Sequence, residues 1–212
     1  MNRYVTELVG TYFLVLTIGM VVVSATPLAP VAVGLMLTAL VYMGGPVSGA
    51  HYNPAVTLGF LLTGTTPRRD VLPYIAAQLL GAWLAASSVQ LLTGQTFALA
   101  PGDGYTVLQA LLAEVLLTLA LVLVIFNVAI SKLSEGNQYY GVAIGLVVTG
   151  GAFSVGDVSG AAFNPAVGTG PMLVDALMGD GGLGNLWLYW VGPIVGALGA
   201  LAIFRIQEGH GR

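Results

Sequence analysis

Six apolar stretches, each close to the length that crosses a lipid bilayer, constrain the fold of this chain more than any other feature. A transmembrane helix needs about 20 mostly apolar residues. The six stretches are residues 4–25, 31–48, 71–93, 108–130, 139–156 and 186–207. Two further apolar stretches, 53–63 and 164–174, are too short to span. The sequence therefore predicts an all-α membrane protein of six transmembrane helices with two shorter helical segments.

The composition agrees with a lipid environment and excludes several functions. Hydrophobic residues make up 57% of the chain and charged residues 7%, against roughly 25% charged in soluble domains. The net charge of −3 provides no basic surface for nucleic acid. There is no cysteine, and His51 and His210 lack metal-ligand spacing. HExxH, GxSxG and P-loop motifs are absent. We predict no catalytic residue, metal or other cofactor, and no nucleic-acid partner.

Charge distribution predicts the orientation. The first stretch contains Glu7 and no small-x-small cleavage site, so we expect a membrane helix and not a signal peptide. With six spans, both termini share one side with the loops after the second and fourth spans. All six basic residues fall on that side: Arg3, Arg68, Arg69, Lys132, Arg205 and Arg212. The positive-inside rule then predicts a multi-pass protein of the cell membrane with both termini cytoplasmic.

The two halves of the chain are repeats of each other. SGAHYNPAV at residues 48–56 recurs as SGAAFNPAV at 159–167, a shift of 164 − 53 = 111 residues. Other matched pairs are Glu7 and Glu114, Gly34 and Gly145, Tyr74 and Tyr189, and Gly81 and Gly196. We expect a single channel domain over residues 1–212, built from repeats at about 1–93 and 108–207, with the paired glycines as packing positions.

An odd number of spans in each repeat inverts the second repeat relative to the first. The short segments then enter from opposite faces and meet near the midplane. Because Asn is a favoured N-cap and Pro a favoured first helical residue, Asn53 and Asn164 are predicted to begin half-helices at 53–63 and 164–174. One Asn-Pro pair alone could be an ordinary loop turn. We expect extended backbone at residues 49–51 and 160–162, which membrane depth tolerates only beside a cavity or inside protein.

Glu7 and Glu114 lie within apolar helices, where a carboxylate is costly. Their repeated position favours bracing of the two short loops through backbone N–H groups. A proton relay is the alternative, disfavoured because each repeat carries only one such group.

The two nine-residue motifs resemble the twin signatures of the aquaporin, or major intrinsic protein, family, and the resemblance covers essentially the whole chain. It implies two re-entrant half-helices that touch at their Asn-Pro-Ala motifs, and a homotetramer with one pore per subunit. It also implies asparagine donors at the pore centre and a ladder of backbone carbonyls leading to them. The motif residues are Asn53, Pro54, Ala55, Asn164, Pro165 and Ala166, and the ladder residues are Gly49, Ala50, His51, Gly160, Ala161 and Ala162. The positive ends of both half-helices would repel cations and protons.

The chain departs from the family pattern at the pore constriction. Most members carry an arginine directly after the second Asn-Pro-Ala, and here that residue is Val167, followed by Gly168. By ungapped counting, the resemblance implies a constriction at Val33, Ala152, Ala161 and Val167. These residues predict a wide, uncharged, apolar opening that matches neither water-selective nor glycerol-selective members. One alternative is that the side chain of Phe153 or Asp157 fills the space that the arginine takes in other members. Another is that ungapped counting assigns the wrong residue to the constriction at Ala152.

The favoured function is a passive channel for water and small uncharged solutes such as glycerol, urea, ammonia or neutral metalloid acids. A secondary transporter also uses inverted repeats and broken helices, but would usually carry ionisable residues at the midplane to couple ions. A closed, structural membrane protein of the same fold is a second alternative. An intramembrane enzyme has the least support, because no nucleophile–base pair or metal cluster is present.

Overall fold

The computed structural model describes residues 1–209, so His210 and Arg212 lie outside the described residues. All the regular secondary structure in this part of the chain is helical. Its α-helices are α1 Asn2–Val23, α2 Ala29–Ser48, α3 Pro54–Leu62, α4 Arg68–Thr93, α5 Val107–Ile125, α6 Tyr140–Ser159, α7 Pro165–Met178 and α8 Leu188–Gly209. A π-helical turn, Phe126–Ile130, continues α5, and a short 3₁₀ turn follows at Lys132–Ser134.

Six of these helices are long and apolar enough to cross a membrane, which confirms the predicted spans: α1, α2, α4, α5 with its π-helical turn, α6 and α8. The short helices α3 and α7 are the predicted half-helices. α7 is longer than predicted, because the apolar run ends at Val174 but the helix continues to Met178. The Asp175 side chain there accepts a hydrogen bond from Thr96, and Gly179 ends the helix.

The paired glycines are packing positions, as predicted. A Cβ atom at Gly81 would lie 2.5 Å from the Leu8 carbonyl oxygen, so α4 packs directly on the backbone of α1. Gly196 has the same relation to Val115, which brings α8 against α5. Gly34 and Gly145 face each other where α2 crosses α6. Small residues allow this close backbone approach between membrane helices.

The start of α1 and the last turns of α8 lie at the same end of the helix bundle. Arg3 Nη1 donates to Asp70 Oδ2 at 2.7 Å, which ties α1 to the start of α4. Arg205 Nη2 donates to the Leu62 carbonyl oxygen at 3.4 Å, near the end of α3. Ser131 Oγ donates to Glu208 Oε1 at 2.6 Å, which joins the segment after α5 to α8. The basic residues that the structure describes therefore gather at this end.

Candidate functional site

The loops that lead into α3 and α7 turn through left-handed backbone. The prediction of extended backbone is therefore wrong at residues 49, 50, 160 and 161. Positive φ angles occur at Gly49 (88°), Ala50 (50°), Tyr52 (48°), Gly160 (82°), Ala161 (52°) and Phe163 (50°). A left-handed non-glycine residue costs about 1–2 kcal/mol. Such loops need support from the surrounding helices.

Glu7 supports the first loop. Its Oε1 accepts hydrogen bonds from Ser48 Oγ at 2.6 Å and from the His51 backbone N–H at 3.0 Å. Its Oε2 accepts from the Tyr52 backbone N–H at 2.7 Å and from Gln78 Nε2 at 2.8 Å. The carboxylate is fully buried. Hydrogen bonds to a charged group contribute about 1.5–3 kcal/mol each, and two of these four hold backbone N–H groups of the strained loop.

Glu114 supports the second loop in the same way, with one partner fewer. Its carboxylate accepts from Ser159 Oγ at 2.7 Å, the Ala162 N–H at 3.0 Å and the Phe163 N–H at 2.7 Å. The position equivalent to Gln78 in the second repeat is Pro193, which has no side-chain donor. The two braces therefore share a design but differ in one hydrogen bond.

Two tyrosines extend this support. The Tyr74 hydroxyl donates to the Ser48 carbonyl oxygen at 2.7 Å, and the Tyr189 hydroxyl donates to the Ser159 carbonyl oxygen at 2.7 Å. Both bonds satisfy the last residue of a helix just before its loop. In the sequence, Tyr74 and Tyr189 stand out only as a match between the two repeats. The signal was a tyrosine that recurs in both repeats, 21 residues after Asn53 and 25 residues after Asn164.

The two asparagines cap their own half-helices and bind the opposite loop. Asn53 Oδ1 and Asn164 Oδ1 accept from the Ala55 and Ala166 backbone N–H groups, each at 2.9 Å. Asn53 Nδ2 donates to the Phe163 carbonyl oxygen, and Asn164 Nδ2 to that of Tyr52, both at 2.8 Å.

Each of these side-chain amides has a second N–H, and both asparagines line a common cavity. Pro54 and Pro165 occupy the first helical positions, and Ala55 and Ala166 are fully buried behind them.

This cavity has a volume of about 610 Å³ and two unlike walls. One wall is loop backbone next to the asparagines: Gly49, Ala50, His51, Ala161 and Ala162. The predicted ladder residue Gly160 does not line it, and Leu99 packs where a Gly160 side chain would lie. The other wall consists of apolar side chains at four-residue spacing on facing helices: Val33, Leu37 and Val41 on α2, and Ile144 and Val148 on α6. Such a passage offers hydrogen bonds along one side only.

Three of the four predicted constriction residues, Val33, Ala161 and Val167, line the cavity. Ala152 continues the α6 stripe but does not line the cavity, which ends at Val148 on that helix; its side chain is a single methyl group. Phe153 is 56% exposed and does not line the cavity either. Asp157 is likewise exposed and outside it. Neither of these two side chains replaces the family's arginine here.

The His51 ring takes part in packing and lies close to two threonine hydroxyls. Its Nδ1 lies 3.0 Å from Thr57 Oγ1, and its Nε2 lies 3.4 Å from Thr66 Oγ1. The ring stacks on Phe60 with 4.4 Å between centroids. Among residues 1–209 no group of three or more histidine, cysteine or acidic side chains could hold a metal ion.

One end of the cavity is bordered by residues 131–137, which the sequence analysis did not single out. The helix that α5 and its π-helical turn form ends at Ile130, and the last four carbonyls of a helix lack partners within it. Ser134 Oγ donates to the Asn127 carbonyl oxygen, and Asn137 Nδ2 donates to that of Val128 at 2.7 Å. Lys132 and Glu135 on this segment are the charged residues of the cavity lining that the structure describes. No periodicity marks such an irregular segment in the sequence.

Comparison with known proteins agrees with this geometry. Residues 1–204 match the family described as Major intrinsic protein. Aquaporin NIP1-1 of Zea mays is 37% identical over 207 residues, covering 93% of this chain and 71% of the relative. Aquaporin AqpM of Methanothermobacter marburgensis is 38% identical over 182 residues, covering 82% and 74%.

The X-ray structure of the aquaglyceroporin from Plasmodium falciparum has the same fold. It superposes with a TM-score of 0.82 at 21% identity, covering 98% of this chain and 95% of that chain. The chain therefore belongs to the major intrinsic protein family.

Proposed function

We propose that this chain is a passive channel for water and for small uncharged solutes such as glycerol, urea, ammonia or neutral metalloid acids. Family membership makes it a channel for water and small solutes, and not an enzyme. The main support for solutes larger than water is the part of the cavity between Val33, Val167 and the two asparagines. No described residue that lines this part is charged. A neutral solute can exchange its water there for asparagine N–H groups and loop carbonyls.

The absence of an arginine at position 167 supports passage of solutes larger than water. A valine there leaves room that a guanidinium would fill, and removes a permanent charge with five donors. Cations remain excluded in this proposal, because α3 and α7 both direct their N-terminal ends toward the centre. Each end is equivalent to roughly +0.5 charge.

The test is stopped-flow light scattering on proteoliposomes with gradients of water, glycerol and urea. We expect all three fluxes to exceed those of empty liposomes and to rise linearly with the gradient of the permeating molecule. A proton gradient should not change them. Saturable or proton-driven flux would instead indicate a secondary transporter. Flux equal to that of empty liposomes for every solute would indicate a closed, structural protein.

We further propose a homotetramer in the cell membrane with both termini cytoplasmic. The orientation is supported by Arg3 and Arg205 at one end of the bundle. Because the chain has no cysteine, single-cysteine variants can report it. In intact cells, a membrane-impermeant thiol reagent should label Asp103→Cys and spare Arg69→Cys; the reverse pattern contradicts the orientation. Native mass spectrometry in mild detergent should give four chains, and a monomer would contradict the assembly.

A further inference from the structure

The two halves of the cavity are related by a pseudo-twofold axis that passes between the asparagines. The shift of 111 residues exchanges Asn53 with Asn164, and the two crossing hydrogen bonds have the same length of 2.8 Å. It also exchanges Gly34 with Gly145, which face each other where α2 crosses α6. A cavity residue on one side of the midplane therefore has a counterpart at the same depth on the other side.

The pseudo-twofold axis relates the outer constriction to a second set of four residues on the other side of the midplane, which we call the inner ring. The outer ring is Val33, Ala152, Ala161 and Val167. The inner ring, in the same order, is Ile144, Val41, Ala50 and Val56. All four inner-ring residues line the cavity, whereas Ala152 of the outer ring does not. Both rings have valine in the half-helix and alanine in the loop. They therefore differ only at the positions contributed by α2 and α6.

The inner ring is the bulkier of the two. Ile144 has one carbon more than its counterpart Val33, and Val41 has two carbons more than its counterpart Ala152. The loop positions do not offset this, because Ala50 and Ala161 have matching φ angles of 50° and 52°. The bulkier inner-ring side chains are also less exposed than their outer-ring counterparts. Val41 is 5% exposed and Ile144 is 6% exposed, while Val33 and Ala152 are only half-buried.

We infer that the inner ring, on the side of the chain termini, sets the largest solute that this channel passes. The inference rests on the proposed function and specifies where its size limit lies. The outer ring has valine and alanine at its α2 and α6 positions and no arginine, whereas the inner ring has branched side chains from both α2 and α6. A solute that has passed Val33 and Val167 then reaches the narrowest apolar part of the passage, at Val41 and Ile144.

A matched pair of double variants tests the inference. Val41→Ala with Ile144→Val gives the inner ring the composition of the outer ring. Val33→Ile with Ala152→Val does the reverse. Flux of erythritol, a polyol longer than glycerol, is measured in proteoliposomes beside water flux and normalised to inserted protein. The inner double variant should raise erythritol flux on the order of tenfold, since one methylene in an apolar pocket changes discrimination by about that factor. The outer double variant should lower it by much less, because it adds a second constriction no narrower than the inner ring.

The results separate the inference from the proposed function. Native glycerol flux with no response to the inner variant, together with strong loss in the outer variant, would overturn the inference alone. A native channel that excludes glycerol, while the inner variant admits it, would contradict the proposed solute range and support the inference. Absence of flux in every protein would contradict both. Val41→Ala alone is the fallback where the double variant fails to assemble, and it should give a smaller increase in the same direction.

Discussion

Replacing Asn164 with Leu should reduce water permeability nearly to that of empty liposomes and destabilise the protein. Leucine has nearly the same shape as asparagine, so the change removes polarity and not space. It deletes the acceptor for the Ala166 N–H and the donor to the Tyr52 carbonyl oxygen. A lost N-cap costs about 1 kcal/mol, and a buried carbonyl left unsatisfied costs about 1–3 kcal/mol. The second amide N–H, available to a passing solute, is also lost.

The measurements are osmotic water permeability and the apparent melting temperature in detergent. Asn53→Leu, the symmetry mate, should behave alike, because Asn53 donates to the Phe163 carbonyl oxygen at the same distance. Ile18→Leu is the control, a volume-conserving change at another cavity-lining residue, and it should leave flux close to native. A folded Asn164→Leu protein with native water flux would show that water passes by another route.

The fold could be predicted from the sequence because bilayer thickness and repeat symmetry leave few choices. Six long apolar stretches required six spanning helices, and three spans per repeat required inversion. The end of α7 was harder to predict from the sequence. Asp175 ends the apolar run, but its side chain accepts a hydrogen bond from Thr96 and the residue stays in the helix. Hydropathy reports contact with lipid, while a helix inside the protein ends where its hydrogen bonding ends.

The candidate site was predictable in its residue types and less so in its backbone. Asn-Pro pairs signal helix starts by local physics, and the capped half-helices begin where they stand. Left-handed Ala50 and Ala161 were not foreseeable, because alanine does not favour positive φ. Their conformation follows from tertiary contacts with Glu7 and Glu114, which hold the adjacent backbone N–H groups. The segment 131–137, which borders the cavity, is held by side-chain hydrogen bonds to carbonyls at the end of a helix, and no local sequence pattern predicts it.

Val167→Arg should reduce the flux of glycerol on the order of tenfold while reducing water flux much less. Val167 is buried and lines the cavity opposite the apolar stripes. A guanidinium at this position both narrows the opening and presents five donors that a passing solute must satisfy. A larger solute is affected by both changes, and a few atoms of excess size change selectivity by about tenfold or more. Water, being smaller, is affected mainly by the lost width.

The comparison separates charge from size when Val167→Met is measured beside Val167→Arg. Methionine lengthens the side chain without adding a charge or a donor, so it should lower glycerol flux by a smaller factor. If the inner ring sets the native size limit, the arginine moves that limit outward. Widening the inner ring in the Val167→Arg background should then no longer raise erythritol flux. Equal loss of glycerol and water flux in Val167→Arg, or no loss of either, would mean that Val167 does not contribute to selection. Selectivity would then come from the inner ring and the asparagines, which line the same cavity.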